Sequence, residues 1–402
     1  MAVSYLIAGC RTPIGKYLGG LSSLSAPELG GHAIKGAVLR SGLEAVGFDQ
    51  VLMGQVIQAG AGQAPARQAA AHAGIPTSVG AATVHKVCGS GLFAVMLADM
   101  AIRAGEYHRV VAGGMESMSQ APHLLRNGRA GWKYGDQSLL DSNDVDGLRC
   151  AKLGLSMGCV GEWLAQDAHI SRLDQDQWSV TSHARAVRAQ DEGKLAREIV
   201  PIQVMEMKKQ VVLANDESPR RDCTMEGLAK LRPAFLSRLV NNTNENYSGT
   251  VTAGNASTLS DGAAALVVVD EATMRNVTTD WVFKIVGHAT FAADHQRTFT
   301  APVGAVRSLL KKTNYSVQDI DLFEINEAFA AQTVACVREL EIDPDKVNTQ
   351  GGAIALGHPL GCSGARVLVA LLNQLADRKL NRGIATLCLG GGEAVALMVE
   401  RP

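Results

Sequence analysis

The sequence has no excess of either charge: 38 Lys and Arg stand against 39 Asp and Glu, for a net charge of −1 and a pI near 6.8. No overall field therefore favours nucleic acid or an anionic membrane, and any anionic ligand has to be held by local groups. Also missing is an apolar run long and unbroken enough to span a bilayer. The opening MAVSYLIAGCRTP has no basic stretch ahead of its short apolar run, so an unexported, cytoplasmic protein is expected. There is no C-x-x-C pair and no Cys/His spacing that resembles a zinc site. The eight cysteines, at 10, 88, 150, 159, 223, 336, 362 and 388, read as reduced thiols, most of them small core residues. What remains is 402 residues, 47% hydrophobic and 19% charged. That is ample for a large core but too long for one ordinary domain, so two domains or one large pseudo-symmetric unit are expected.

Strand-like runs alternate with helical ones. VSYLIAG, FDQVLMGQV, RVVAGGM, AALVVVD, WVFKIVGHA, DIDLFEI, GIATLCLGGG and AVALMVE read as strands. APELGGHAIKGAVLRSGL, APARQAAAHAG, the stretch after Cys88, PVGAVRSLLKKT, EAFAAQTVACVREL and GARVLVALLNQLADRK read as helices, and the alternation predicts α/β layers. Residues from about 115 to 250 differ, with more charge and irregular Gly, Asn and Asp-rich segments. They hold one clear amphipathic helix, from a Ser171/Asp174 capping-box start to a stop at Gly193. This segment reads as an inserted lid or loop domain.

The chain also repeats itself. Leu52 in FDQVLMGQV pairs with Phe323 in DIDLFEINE at an offset of 271, and Ser90 in CGSGLFAVMLADMAIRAG pairs with Ser363 in GCSGARVLVALLNQLADR at 273. Each copy then reaches a strand ending in glycines, VVAGG and ATLCLGGG. Three features at nearly one offset imply two copies of an α/β unit. The division expected is 1–117 with 251–272 as the N-terminal half, 118–250 as the loop domain, and 273–402 as the C-terminal half.

Four places carry chemistry. Cys88 precedes Gly89, Gly91 and an apolar helix. There the glycines allow a tight turn and close approach to a ligand, and the helix start would make the thiol ionise below the ~8.5 of a free cysteine. A packed cysteine at a strand-to-helix bend explains that stretch equally well. His358, in GGAIALGHPLGCSGA, sits in a glycine-studded loop that suits an imidazole exposed at a site, or simply a surface loop. Cys388 ends a strand ahead of three glycines, which make either a flexible turn or backbone N–H groups set close to a substrate. Asn326, in EINEAFAAQ, lies where strand gives way to helix, a place for a cap or for a functional amide. Together they place two cysteines, a histidine and an asparagine on loops after strands of a duplicated α/β fold, where such sheets bind ligands.

VCGSGL, GTVTAGNAS, INEAFAAQ, GGAIALGHPLG and LCLGGG, in that order, resemble the thiolase superfamily over essentially the whole chain. GGMESMSQAPHLL with GDQSLLDSNDVDGL is similar to the loop of its biosynthetic-type acetyl-CoA acetyltransferases. The resemblance implies a duplicated αβαβα fold with an inserted loop domain that carries much of the coenzyme A site, and a homo-oligomer, dimer or tetramer. It implies acyl-CoA thioesters as substrates, no dissociable cofactor and no metal. Cys88 would be the acylated nucleophile with His358 accepting its proton. Cys388 would be the base toward the second acetyl-CoA. The enolate oxygen would be held by His358 and a water on Asn326, and the N–H groups of Cys88 and Gly390 would form the oxyanion hole. Leu148, Met157, Arg220, Ser257, Ala328 and Phe329 would line the coenzyme A path, with Arg220, or its neighbour Arg221, at the adenine or a phosphate.

The chain departs from the family pattern at His85, Ser156, Gly227, Gln350 and Glu393, in RTFTAPVGA, and in the longer LSRLVNNTNENYSGTVT. His85 would raise the thiolate fraction or narrow the acyl pocket, and Glu393 would make the Cys388 thiolate harder to form. Other readings are a 3-ketoacyl-CoA thiolase of broader chain length, a ketoacyl synthase, a non-catalytic acyl-CoA or lipid binding protein, and a Cys–His hydrolase. The second cysteine and the Asn326 motif argue against the synthase, the intact set of four groups against the binder.

Overall fold

Each predicted strand forms, in the computed structural model that describes residues 2–206, 209–235 and 248–402. Nine strands build the main sheet: β1 (Ser4–Arg11), β2 (Gln50–Gly54), β3 (Gly80–Val84), β4 (Arg109–Ser117), β5 (Ser260–Asp270), β6 (Phe283–Ala292), β7 (Leu322–Ile325), β8 (Arg382–Leu389) and β9 (Glu393–Glu400). A two-residue strand, Gly15–Lys16, adds to β5. Their order is β7-β8-β9-β6-β1-β5-β4-β2-β3. Read outward from the β6/β1 junction, the two sides mirror each other: β1, β5, β4, β2 against β6, β9, β8, β7. In both, the innermost pairs are antiparallel and the outer pair parallel. The sides meet through only two pairs, Tyr5 with Lys284 and Leu6 with Phe283. β3 has its counterpart in a single bridge between Phe323 and Val347.

The principal helices are α1 (Ala26–Ser41), α2 (Pro65–His72), α3 (Ser90–Ala104), α4 (Met157–Asp167), α5 (Arg172–Asp191), α6 (Ala301–Thr313), α7 (Ala330–Leu340) and α8 (Leu360–Arg378). α3 and α8, the repeat-related pair, share the central core with strands of both sides. Outside them, α1 and α2 pack on one side of the sheet and α6 and α7 on the other. The result is the five-layer αβαβα arrangement. α3 with its preceding turn, Val87–Ala104, is apolar enough by composition to cross a bilayer, but its residues lie in this central core. The apolar run of β5 is buried along its length, as a strand covered on both faces requires.

α5 starts at the predicted capping box, Ser171 with Asp174, and Gly193 follows its end at φ +69°. Three elements lacked a sequence signal. β3 is short and built of small residues; α4 contains two glycines; Ile202–Glu206 pairs with Lys209–Leu213 as a hairpin within the segment read as irregular. The helix predicted from Glu327 begins only at Ala330, because Ala328 and Phe329 turn into a cavity instead. The long stretch LSRLVNNTNENYSGTVT falls largely outside the described residues. All eight cysteines are free thiols.

Candidate active site

The turn carrying Cys88 is strained. Val87, a β-branched residue, is held at φ +45°, a conformation such residues rarely adopt. Ser90, at the start of α3, holds the turn from inside: its hydroxyl accepts the Lys86 N–H at 2.8 Å and donates to the Val87 carbonyl at 2.6 Å. Its repeat mate Ser363, in the first turn of α8, donates to the Pro359 carbonyl at 2.9 Å and meets His358 Nδ1 at 2.6 Å. A carbonyl only accepts, so the serine proton goes to Pro359 and Nδ1 is the donor. The lone pair of His358 is therefore on Nε2. The duplicated serines steady the loops of Cys88 and His358, one in each half.

The glycines around Cys88 serve a different purpose from the one expected. Gly89 has φ −83°, and a Cβ there would lie 2.3 Å from the Leu389 side chain. At Gly91 it would lie 2.8 Å from the Ala365 backbone. They permit α3 to cross α8 and the Cys388 strand at close range, rather than letting a ligand approach. Left-handed backbone is needed after Cys388 instead, at Gly391 and Gly392, with φ +93° and +91°.

These elements enclose a cavity of about 330 Å³ lined by Cys88, His358, Cys388 and Gly390 at one end. Leu148, Met157, Ser257, Ala328 and Phe329 line it as expected, and so do Ser156, Met118, Phe235 and Phe299. Leu148 arrives on a π-helical turn, Asn143–Leu148. Phe329 meets Phe235 and Phe299 edge-on, with ring centroids 6.3 and 5.2 Å away. Asn326 stands behind the lining, fully buried, its Nδ2 3.5 Å from His358 Nε2. It caps no helix; Phe329 occupies that position before α7. Arg220 is not brought to the cavity. It is exposed, and its guanidinium bonds to His183 on α5; Arg221 pairs with Asp191.

Burial reverses two electrostatic expectations. His358 is 5% exposed rather than displayed at a surface, and desolvation with nearby Arg366 pushes its pKa down to about 3. Desolvation pushes the Cys88 thiol up to about 12, against the pull of the N–H groups of Gly390 and Cys88 itself. The helix start does not make a resting thiolate here, because the apolar cavity wall costs the charge more than two amides return. Cys388 is raised well above a free thiol, first by burial and then by Cys88 beside it.

Glu393 does not supply that upward push. Its carboxylate pairs at 2.5 Å with Lys86, so the ion pair ties the Cys88 turn of one half to the glycine turn of the other. Glu393→Gln is expected to leave the pH dependence of Cys388 alkylation unchanged and to cost about 1 kcal/mol in denaturant melts, the upper end for pairs open to solvent, since this one is part-buried. Of the other departures, His85 is exposed and outside the cavity lining, its Nδ1 3.4 Å from the Val87 N–H, so it neither narrows the pocket nor reaches Cys88. Ser156 caps α4 at the cavity. Gly227 is exposed, and Gln350 lies in a separate surface groove.

Sequence reasoning passed over Glu116. Fully buried at the end of β4, its carboxylate accepts the N–H groups of Val56, Ile57 and Gly361 at 3.0, 3.2 and 2.8 Å. It thereby fixes the start of α8 beside Cys88; burial raises its pKa to about 7. A lone acid closing an apolar strand, in GGMES, was the available signal.

His183, buried beside Arg220, is held down to about 4 from an ordinary 6.5. An unfolded chain takes up a proton at each such imidazole below 6.5, whereas the folded one does not until about 4 at His183 and about 3 at His358. Stability present above pH 6.5 is therefore lost as pH falls through that window. Denaturant midpoints measured at successive pH values should fall on the acid side, with a shallower slope in His183→Gln.

Fold and site together define an acyl-transfer enzyme whose cavity is lined by two cysteines and a histidine. The residues match the thiolase N-terminal domain over 4–272 and the thiolase C-terminal domain over 279–401, and the chain belongs to the thiolase family. It is 45% identical over 397 residues, 98% of both chains, to a "Probable acetyl-CoA acyltransferase" of Staphylococcus aureus. It is 44% identical over 396 residues, again 98% of both, to a "Probable acetyl-CoA acetyltransferase" of Escherichia coli. The crystal structure of the Bacillus anthracis acetyl-CoA acetyltransferase superposes with a TM-score of 0.95 at 39% identity, covering 100% of this chain and 99% of that one.

Proposed function

We propose that this thiolase-family enzyme joins two acetyl-CoA molecules into acetoacetyl-CoA by a reversible Claisen condensation through an acetyl–Cys88 intermediate. The observation that carries the reading is the meeting of Cys88, His358, Cys388 and Gly390 in one narrow cavity.

Neither Cys88 nor His358 ionises alone, so the proton passes from sulfur to Nε2 as sulfur attacks the thioester carbonyl. The N–H groups of Cys88 and Gly390 receive the oxyanion, a contribution of ~3 kcal/mol per donor. The C–S bond to coenzyme A breaks, and the departing sulfur takes the proton of Cys388. The site then holds a Cys388 thiolate and a His358 imidazolium. A thiolate so reluctant to exist is a strong base, and it takes a proton from the methyl carbon of the second acetyl-CoA. The enolate oxygen is held by the imidazolium and a water on Asn326. Its carbon attacks acetyl–Cys88, acetoacetyl-CoA departs, and the Cys88 sulfur recovers its proton from His358. Protons balance over the cycle without a cofactor or metal.

Leu148, Met157, Ser257, Ala328 and Phe329 form the pantetheine path under this reading, while Arg220 would meet the nucleotide only beyond the cavity mouth. A cytoplasmic homo-oligomer acting in fatty acid metabolism, dimer or tetramer, is the setting proposed. Incubation with acetyl-CoA should add one acetyl group by intact mass and release acetoacetyl-CoA. Acetylation without acetoacetyl-CoA would reject condensation in favour of a hydrolase or a binder, and a thiolysis series of increasing acyl length would expose a broader chain preference.

A further inference from the structure

Among the described residues two arginines are wholly buried, Arg11 and Arg366, and they are treated differently. Every nitrogen of Arg11 is bonded: Nε donates to Glu198 at 2.7 Å, Nη1 and Nη2 to Asp216 at 2.6 and 2.8 Å, and Nη1 also to the Thr12 carbonyl. This is the pattern of a structural ion pair tying β1 to residues beyond α5. Arg366, one turn beyond Ser363 on α8, makes one side-chain hydrogen bond among the described residues, from Nη2 to Asn326 Oδ1 at 3.3 Å. Its Nε and Nη1 meet no hydrogen-bond partner among the described residues. Glu324 lies 3.6 Å away, beyond hydrogen-bond reach; burial raises its pKa to about 8 against the pull of Arg366, and its other oxygen accepts from Gln374 at 2.7 Å.

A buried guanidinium with unmet donors is costly, and such costs persist where function maintains them. The one bond Arg366 makes decides the orientation of the Asn326 amide. An arginine only donates, so it must face Oδ1, which turns Nδ2 toward His358. Released, the amide is free to present Oδ1 there, and the water between it and the enolate oxygen would then spend one of its protons on the amide.

We propose that Arg366 is a positioning residue for carbon–carbon bond formation, locking the Asn326 amide so that its N–H side faces the water that holds the enolate oxygen. This rests on the condensation reading above and extends it to a side chain that touches no substrate. Its nearness also helps hold His358 neutral at rest. Attack by Cys88 uses His358 and the backbone donors but not Asn326, so the two half-reactions respond differently.

The test compares wild type with Arg366→Lys and with Arg366→Gln/Glu324→Gln, which removes both buried ionisable groups together. Quenched intact mass follows acetylation of Cys88, and NMR in D2O follows enzyme-dependent exchange of the acetyl methyl protons of acetyl-CoA. In the double variant acetylation should stay within about threefold of wild type, while methyl exchange and condensation fall about 10²-fold, the scale of one lost oxyanion donor. Arg366→Lys should recover part of the exchange rate. In an Asn326→Ala background, adding the double substitution should cause no further loss. Equal decline of both half-reactions, no decline in either, or additive losses with Asn326→Ala would overturn the proposal. If the double variant does not fold, Arg366→Lys decides: exchange lowered with acetylation retained supports the proposal, anything else rejects it. Absence of acetylation in wild type would instead reject the condensation reading itself.

Discussion

Cys88→Ala should abolish the acetyl adduct and lower condensation and thiolysis by on the order of 10⁴-fold or more, since loss of a nucleophile removes the covalent path entirely. Seven other thiols remain in the variant as internal controls. Cys10, Cys336 and Cys362 are buried, and burial raises each to about 12, as it does Cys88. Acidity therefore does not single out Cys88. What distinguishes it is its place on the cavity wall with two N–H groups directed at its sulfur. The fold should survive the change, because Cys88 is only half-buried and its turn is held by Ser90. Intact mass after acetyl-CoA, with circular dichroism as the folding control, checks the result; an acetyl group persisting in Cys88→Ala would place the nucleophile elsewhere.

Cys388→Ala should separate the half-reactions. Coenzyme A departs well enough without the Cys388 proton for acetyl–Cys88 to form and accumulate. With no base to remove the methyl proton, condensation should fall about 10³-fold, within the usual range for a general base. Cys388 is 2% exposed at the end of β8, and the cavity left by removing its sulfur is small. A variant that condenses at the wild-type rate would show that Cys388 is not the base; one that fails to acetylate at all would show that it is needed to protonate the leaving sulfur.

Much of this site was readable in advance. Cys88, Asn326, His358 and Cys388 each stand where an apolar or glycine-rich run breaks into a turn or a helix, and such breaks are local in sequence. The repeat was readable too, and its serines prove to matter: Ser90 and Ser363 share an offset because each secures the loop of its own half that carries Cys88 or His358. Other parts were hidden. Nothing near Lys86 in the chain announces Glu393, and nothing near Asn326 announces Arg366, because those partners come from the opposite half or from a helix forty residues on. Gly89 and Gly91 were legible as glycines but not as the contact that lets α3 cross α8.

Composition and periodicity alone determined the kinds of element, their alternation, the doubling of the unit and the chemical types available at its loops. These arise from interactions between residues a few positions apart. The ionisation of those groups was decided only by the folded molecule. A helix start is a local feature that argues for a Cys88 thiolate, but desolvation is a sum over every neighbour that excludes water. Those neighbours, from both halves and the inserted segment, gather only when the chain is folded.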